Sequence, residues 1–152
     1  MKKLKTVIKI FMALALAFFV LQGTVFAASS EDHRQWGSFH CLTVTMVADT
    51  GAATFTSYST DQTIDGAIVA METAPGATAP TSGYDVTVTN VLTRSVMGTL
   101  LNDLSATAAE YGRAPNGVVY NSGTLTVAAA NNSVNDATFT LKIYWYGSER
   151  KR

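Results

Sequence analysis

In the run "FHCLTVTMVA", residues 39–48, the side chains change character at every second position. Phe39, Cys41, Thr43 and Thr45 fall on one side of an extended chain, and Leu42, Val44 and Met46 on the other. A period of two is the mark of a strand with one face turned to a core. The same alternation returns in "AATFTSYST", "TIDGAIVAMET", "GYDVTVTNVL", "GVVYNSGTLTVAAA" and "ATFTLKIYWYG". Thr, Val, Ile, Tyr and Phe dominate these runs, the residues that pack best on a pleated surface. Turn signals separate them: Asp49-Thr-Gly51, Asp65-Gly66, Pro75-Gly76, Asn116-Gly117, Ser122-Gly123 and "NNSVND" at 131–136. About seven short strands without repeating βα units predict an all-β, antiparallel β-sandwich, jelly-roll or immunoglobulin-like.

One stretch breaks the pattern. In "MGTLLNDLSATAAEYG", residues 97–112, Leu100, Leu101 and Leu104 have roughly helical spacing, so one short helix or a long connection is expected there. The last two runs, 117–130 and 137–147, are expected to form a hairpin across the Asn-rich turn.

The N-terminus reads as an export signal. Lys2, Lys3, Lys5 and Lys9 precede the uncharged run "IFMALALAFFV", and "VFA" puts Val25 and Ala27 at the small positions of a cleavage site, with Ala28 one register along. The apolar run is short against the ~20 residues that span a bilayer. The expected organisation is a signal at 1–27, a polar leader at 28–38, a sandwich domain at 39–147 and a basic tail at 148–152. The expected location is the cell surface, the periplasm or the medium, with no membrane association after cleavage.

Removing the signal leaves seven basic against eleven acidic residues. A sparse, mildly acidic chain argues against a nucleic-acid groove, which depends on clustered Lys and Arg. The only basic run is Arg150-Lys151-Arg152 at the tail. One cysteine, Cys41, cannot close an internal disulfide, so the domain must stand on core packing or on assembly.

Candidate chemistry is confined to few places. His33, His40 and Cys41 lie within "HRQWGSFHC", but neighbours 40 and 41 on a strand point to opposite faces and do not readily share a metal, so no metal ligand set is assigned. Asp49 in "VADTGAA" has the Asp-Thr-Gly of aspartic proteases, which need two such aspartates and hence a dimer here; the alternative is an ordinary hairpin turn between two strands. No catalytic set and no cofactor site is predicted. Asn131-Asn132-Ser133 fits a glycosylation sequon. Tyr144, Trp145 and Tyr146 form the densest aromatic cluster. Alternation places Tyr144 and Tyr146 together as interface or ligand aromatics, and Trp145 on the core side.

Three segments carry a resemblance: "APGATAPTSGYDVTVTN" at 74–90, "SVMGTLLNDLSATAAEY" at 95–111 and "SGTLTVAAANNSVNDATFTLKIYW" at 122–145. From about Ala52 the chain resembles small phage-type structural proteins encoded among virion head and tail genes. The likeness rests on Pro75, Pro80, Tyr84, Asp85, Val86, Thr87, Gly98, Asn102, Gly123, Leu125, Thr126 and Asn131. It departs at "NVLTR", 90–94, where a polar "DxxG" turn is the pattern, and in the export signal, which virion proteins do not use. The resemblance implies a sandwich that packs into a larger assembly and performs no catalysis. A non-enzymatic structural subunit, self-associating or built into a larger structure, is therefore the expected function. The alternative is an extracellular module that binds glycan or surface polymer through its terminal aromatics.

Overall fold

The computed structural model describes residues 28–98, 101–113 and 119–147. The expected signal with Ala27, the Asn116-Gly117 turn and the basic tail 148–152 lie outside the described residues. Nine strands follow in order: β1 Ser30–Trp36, β2 Phe39–Val47, β3 Tyr58–Ser59, β4 Ile64–Pro75, β5 Asp85–Asn90, β6 Glu110–Arg113, β7 Val119–Gly123, β8 Leu125–Ala130 and β9 Thr138–Gly147. Among the described residues there is no helix. All pairings are antiparallel, and the strands make two sheets packed face to face, a β-sandwich as the alternation predicts.

The larger sheet runs β1-β2-β9-β4, with β6 and β7 end to end along the far side of β4. The smaller sheet runs β3-β8-β5. The inward-facing positions obey the period of two. Leu42, Val44 and Met46 of β2, Phe139, Leu141, Ile143 and Trp145 of β9, and Ile64, Ile68 and Met71 of β4 meet Val86, Val88, Leu125 and Val127 of the smaller sheet. A register shift between Ile68 and Ala70 lets β4 keep both Ile68 and Met71 inward. At Gly66, a β-carbon would lie 2.0 Å from the Tyr146 carbonyl oxygen, so β4 and β9 come this close only because the position is glycine.

Three expectations are corrected. Residues 30–36 are no leader: they form β1, joined to β2 by a two-residue turn in which Gly37 takes φ 61°. The last two strands make no hairpin. β8 belongs to the smaller sheet and β9 to the larger, so the Asn-rich segment crosses between sheets. Asn132 clamps that crossing, accepting from the amides of Thr81 and Val134 and donating to the carbonyls of Ala53 and Val134. The Asp-Thr-Gly turn likewise leads from the larger sheet to the smaller one, not across a hairpin.

Of the two expectations for 97–112, the long connection is the one that forms. Buried Val96, Met97, Leu101 and Leu104 belong to a connection laid along the outer edge of β5. Val96 donates to the Val88 carbonyl, Val86 to Leu101, and Tyr84 and Leu104 form a bridge. The connection reaches this edge through a turn at 90–94, where Asn90 receives the amides of Leu92 and Arg94 on its side chain and Thr93 takes φ 59°. An irregular segment thus covers an edge strand that would otherwise present unpaired backbone. The segment ends in β6 at Glu110.

Tyr84, fully buried against Phe139, carries the one buried side-chain polar atom without a hydrogen bond among the described residues. Burial pushes its phenol up to about 12. Its ring therefore stabilises and its hydroxyl does not. Tyr84→Ala is expected to cost ~3–5 kcal/mol in urea unfolding. Tyr84→Phe is expected to shift stability by no more than ~1 kcal/mol, because no hydrogen bond is lost.

Candidate functional surface

The outer face of the larger sheet is where the sequence departs from a plain sandwich. Antiparallel register puts side chains from five strands in one transverse row: Trp36 faces Phe39, Phe39 faces Tyr146, Tyr146 faces Ala67, and Ala67 faces Tyr120. Four interstrand spacings make the row about 19 Å long. A second row holds Arg34, Cys41, Tyr144, Ala70 and Arg113, and a third holds Asp32, Thr43, Lys142, Glu72 and Tyr111.

The rings touch one another. Phe39 stacks on Tyr144 at 6.1 Å between centroids, meets Tyr146 at 5.2 Å and Trp36 at 6.3 Å. Offset and tilted contacts at these distances are the favoured aromatic geometries. Trp36 is 58% exposed, Tyr111 57%, Tyr120 78% and Tyr146 53%, so four large rings on one face are presented to solvent. On β4 the small residues Ala67 and Ala70 stand between Tyr144 and Tyr146 on one side and Tyr111 and Tyr120 on the other.

The charges on this face are matched to partners. Lys142 Nζ donates to Glu72 Oε1 at 3.2 Å, and Tyr144 Oη donates to Glu72 Oε2 at 2.9 Å. Burial and that acceptor carboxylate hold the Tyr144 phenol far above its usual range, so it stays a donor. Arg34 Nε meets Asp32 Oδ2 at 3.1 Å, and the Arg113 guanidinium lies 5.9 Å from the Tyr111 ring centroid. Two ion pairs closed on the face itself cancel most of its charge, and Arg113 rests on a ring.

Tyr144 and Tyr146 share this face, as alternation predicts, and Trp145 is buried. Their roles differ: Tyr144 is half-buried and tied to Glu72, whereas Tyr146 projects. Sequence reasoning missed Trp36, Phe39, Tyr111 and Tyr120 as members of the set. Trp36 and Phe39 are symmetric about Gly37-Ser38, a hairpin signal that places them side by side. Tyr111 and Tyr120 reach the face through long-range pairing with β4, which leaves no local signal.

The other candidates are placed as follows. His33 and His40 come together on the inner side of the larger sheet, Nε2 to Nδ1 at 3.1 Å, while Cys41 points to the opposite face. Among the described residues no three His, Cys, Asp or Glu side chains gather as a metal site. Asp49 lies exposed in its turn, where its two oxygens accept from the hydroxyls of Thr54 and Thr56 at 2.8 Å each. Those hydrogen bonds hold its carboxyl below the usual range. Its local work is to close the turn.

No protein-family model and no curated protein matches the chain.

Cys41 sits under this surface, directly across from Tyr144, and burial pushes its thiol up. A protonated, covered thiol reacts slowly. In the folded protein at pH 7.5, Cys41 is expected to resist a disulfide reagent that labels it quickly in denaturant. Tyr144→Ala is expected to speed native labelling many-fold by uncovering the sulfur.

Proposed function

We propose that this chain is a non-enzymatic, exported β-sandwich subunit that works by surface contact. It assembles with its own copies or within a larger structure through the outer face of the larger sheet. The observation that carries this reading is the transverse row Trp36, Phe39, Tyr146 and Tyr120 on a face that closes two ion pairs of its own. Tyr and Trp are favoured and free charges depleted at the centre of protein interfaces, because rigid rings bury much area for little lost rotamer freedom. Large contiguous apolar patches are uncommon on monomers that work alone. The resemblance to phage-type structural proteins points the same way, with the fold turned to an exported role.

A second reading is favoured by one specific feature. Tyr144 and Tyr146 on β9 and Tyr111 and Tyr120 on β6 and β7 flank β4 on one face, and an extended polymer of sugar rings stacks against aromatic faces of this kind. In that case the chain is a glycan or surface-polymer binding module and stays monomeric.

Light scattering after size exclusion, over a range of concentrations, separates the two. The subunit reading predicts mass that rises with concentration. The double variant Trp36→Ser/Tyr146→Ser is predicted to remain monomeric and folded while losing ~1–3 kcal/mol of stability, the worth of two aromatic contacts with Phe39. A monomer at every concentration, retained on an insoluble polysaccharide and released by the same double variant, establishes the second reading.

A further inference from the structure

The only two histidines of the chain meet, although seven residues separate them in sequence. They lie on neighbouring strands: His33 on β1 and His40 on β2. Their rings are nearly parallel, 5° apart, and both stack on Trp145, at 5.3 and 4.8 Å between centroids. A nitrogen-to-nitrogen hydrogen bond of 3.1 Å needs one ring to donate and the other to accept.

β1 has little else to hold it. It pairs only with β2, at the edge of the larger sheet, and none of its side chains is fully buried. Its inward side chains are Glu31, His33 and Gln35. Glu31 reaches the segment after β3, accepting from the amides of Asp61 and Gln62 and from the Tyr58 hydroxyl. His33 is the second attachment, through His40 and Trp145.

We propose that the His33–His40 pair is a proton-operated latch that docks β1 at neutral pH and releases it on mild acidification. One proton can be shared within the pair and sits favourably over the Trp145 face. A second proton leaves two N–H groups facing each other with no acceptor, and two like charges at hydrogen-bond distance. The rings must then separate, and β1 is the element free to move.

The charged groups of β1 and β2 are turned away from the pair or engaged elsewhere. Asp32 and Arg34 lie on the opposite face of β1 and pair with each other. Cys41, Lys142 and Tyr144 lie on the outer face of the sheet, and Glu31 is engaged by Tyr58, Asp61 and Gln62. From β4, it is the carbonyl of Asp65 that comes near Gly147, beside His40. Burial and the facing His33 ring hold the His40 imidazole below its usual value. A group whose folded value lies below its unfolded one contributes docking above pH ~6.5 and loses it as pH falls through the folded value. The window is therefore the acid side of pH ~6.5. Release also removes Trp36 from the aromatic row, a consequence that rests on the proposed function, whereas the latch itself does not.

Amide hydrogen exchange at pH 7.5 and 5.0, corrected for intrinsic rates, tests the latch in the purified protein. Protection of Asp32–Trp36 is expected to fall about tenfold or more at the lower pH, a factor of ten being one unit of proton affinity. Protection in β9 and β4 is expected to stay constant. In His33→Gln/His40→Gln the pH dependence of β1 is expected to vanish. Unchanged protection in the parent protein, or the same fall in the variant, overturns the proposal. Should the variant leave β1 undocked at both pH values, imidazole NMR of the parent decides. Two separated steps, the second well below pH 6.5, support the latch, and two independent titrations near the ordinary value overturn it. Assembly is measured separately by mass, so a failed latch and a failed interface give different results.

Discussion

Strand β9 is the constraint on which the rest of the molecule depends. It is paired along its length with β2 on one side and β4 on the other, so its two faces are fixed together. Phe139, Leu141, Ile143 and Trp145 fill the core, and Thr140, Lys142, Tyr144 and Tyr146 are thereby forced outward. Slipping the register by one residue would bury Lys142 and expose Trp145. Core and surface are two readings of one alternation. The aromatic face is not an ornament added to a finished sandwich, because its placement is set by the packing behind it.

That coupling explains which features the sequence announces. Strands declare themselves locally through period two, so the all-β class and the inward set on β2 and β9 can be read directly. Pairing does not. Nothing in "LTVAAANNSVNDATF" distinguishes a tight hairpin from a crossing between sheets, and the crossing is fixed by Asn132, whose partners Thr81 and Ala53 are far along the chain. The leucines near 100 leave helix and connection both open for a related reason. A connection that follows β5 and drops Leu101 and Leu104 into the core has apolar spacing much like a helix's.

The candidate surface was half legible. Tyr144 and Tyr146 follow from alternation alone, but an interface is assembled across strands, and Tyr111 and Tyr120 join only because β6 and β7 both lie along β4. The stretch "HRQWGSFHC" holds two structures in one hairpin. Its odd and even positions send Trp36 and Phe39 outward, and His33 and His40 inward onto Trp145. A strand rich in polar residues reads as a leader because only its partner makes it a strand.

The central claim is that the outer face of the larger sheet is the surface by which this protein works. Hydroxyl-radical footprinting across a concentration series reads it ring by ring, with Tyr58 of the smaller sheet and the exposed loop residues Val91 and Leu92 as internal references. Oxidation of Trp36, Tyr111, Tyr120 and Tyr146 is predicted to fall together as concentration rises, with the references unchanged. Constant oxidation of all four rings, or shielding confined to Val91 and Leu92, would contradict the account.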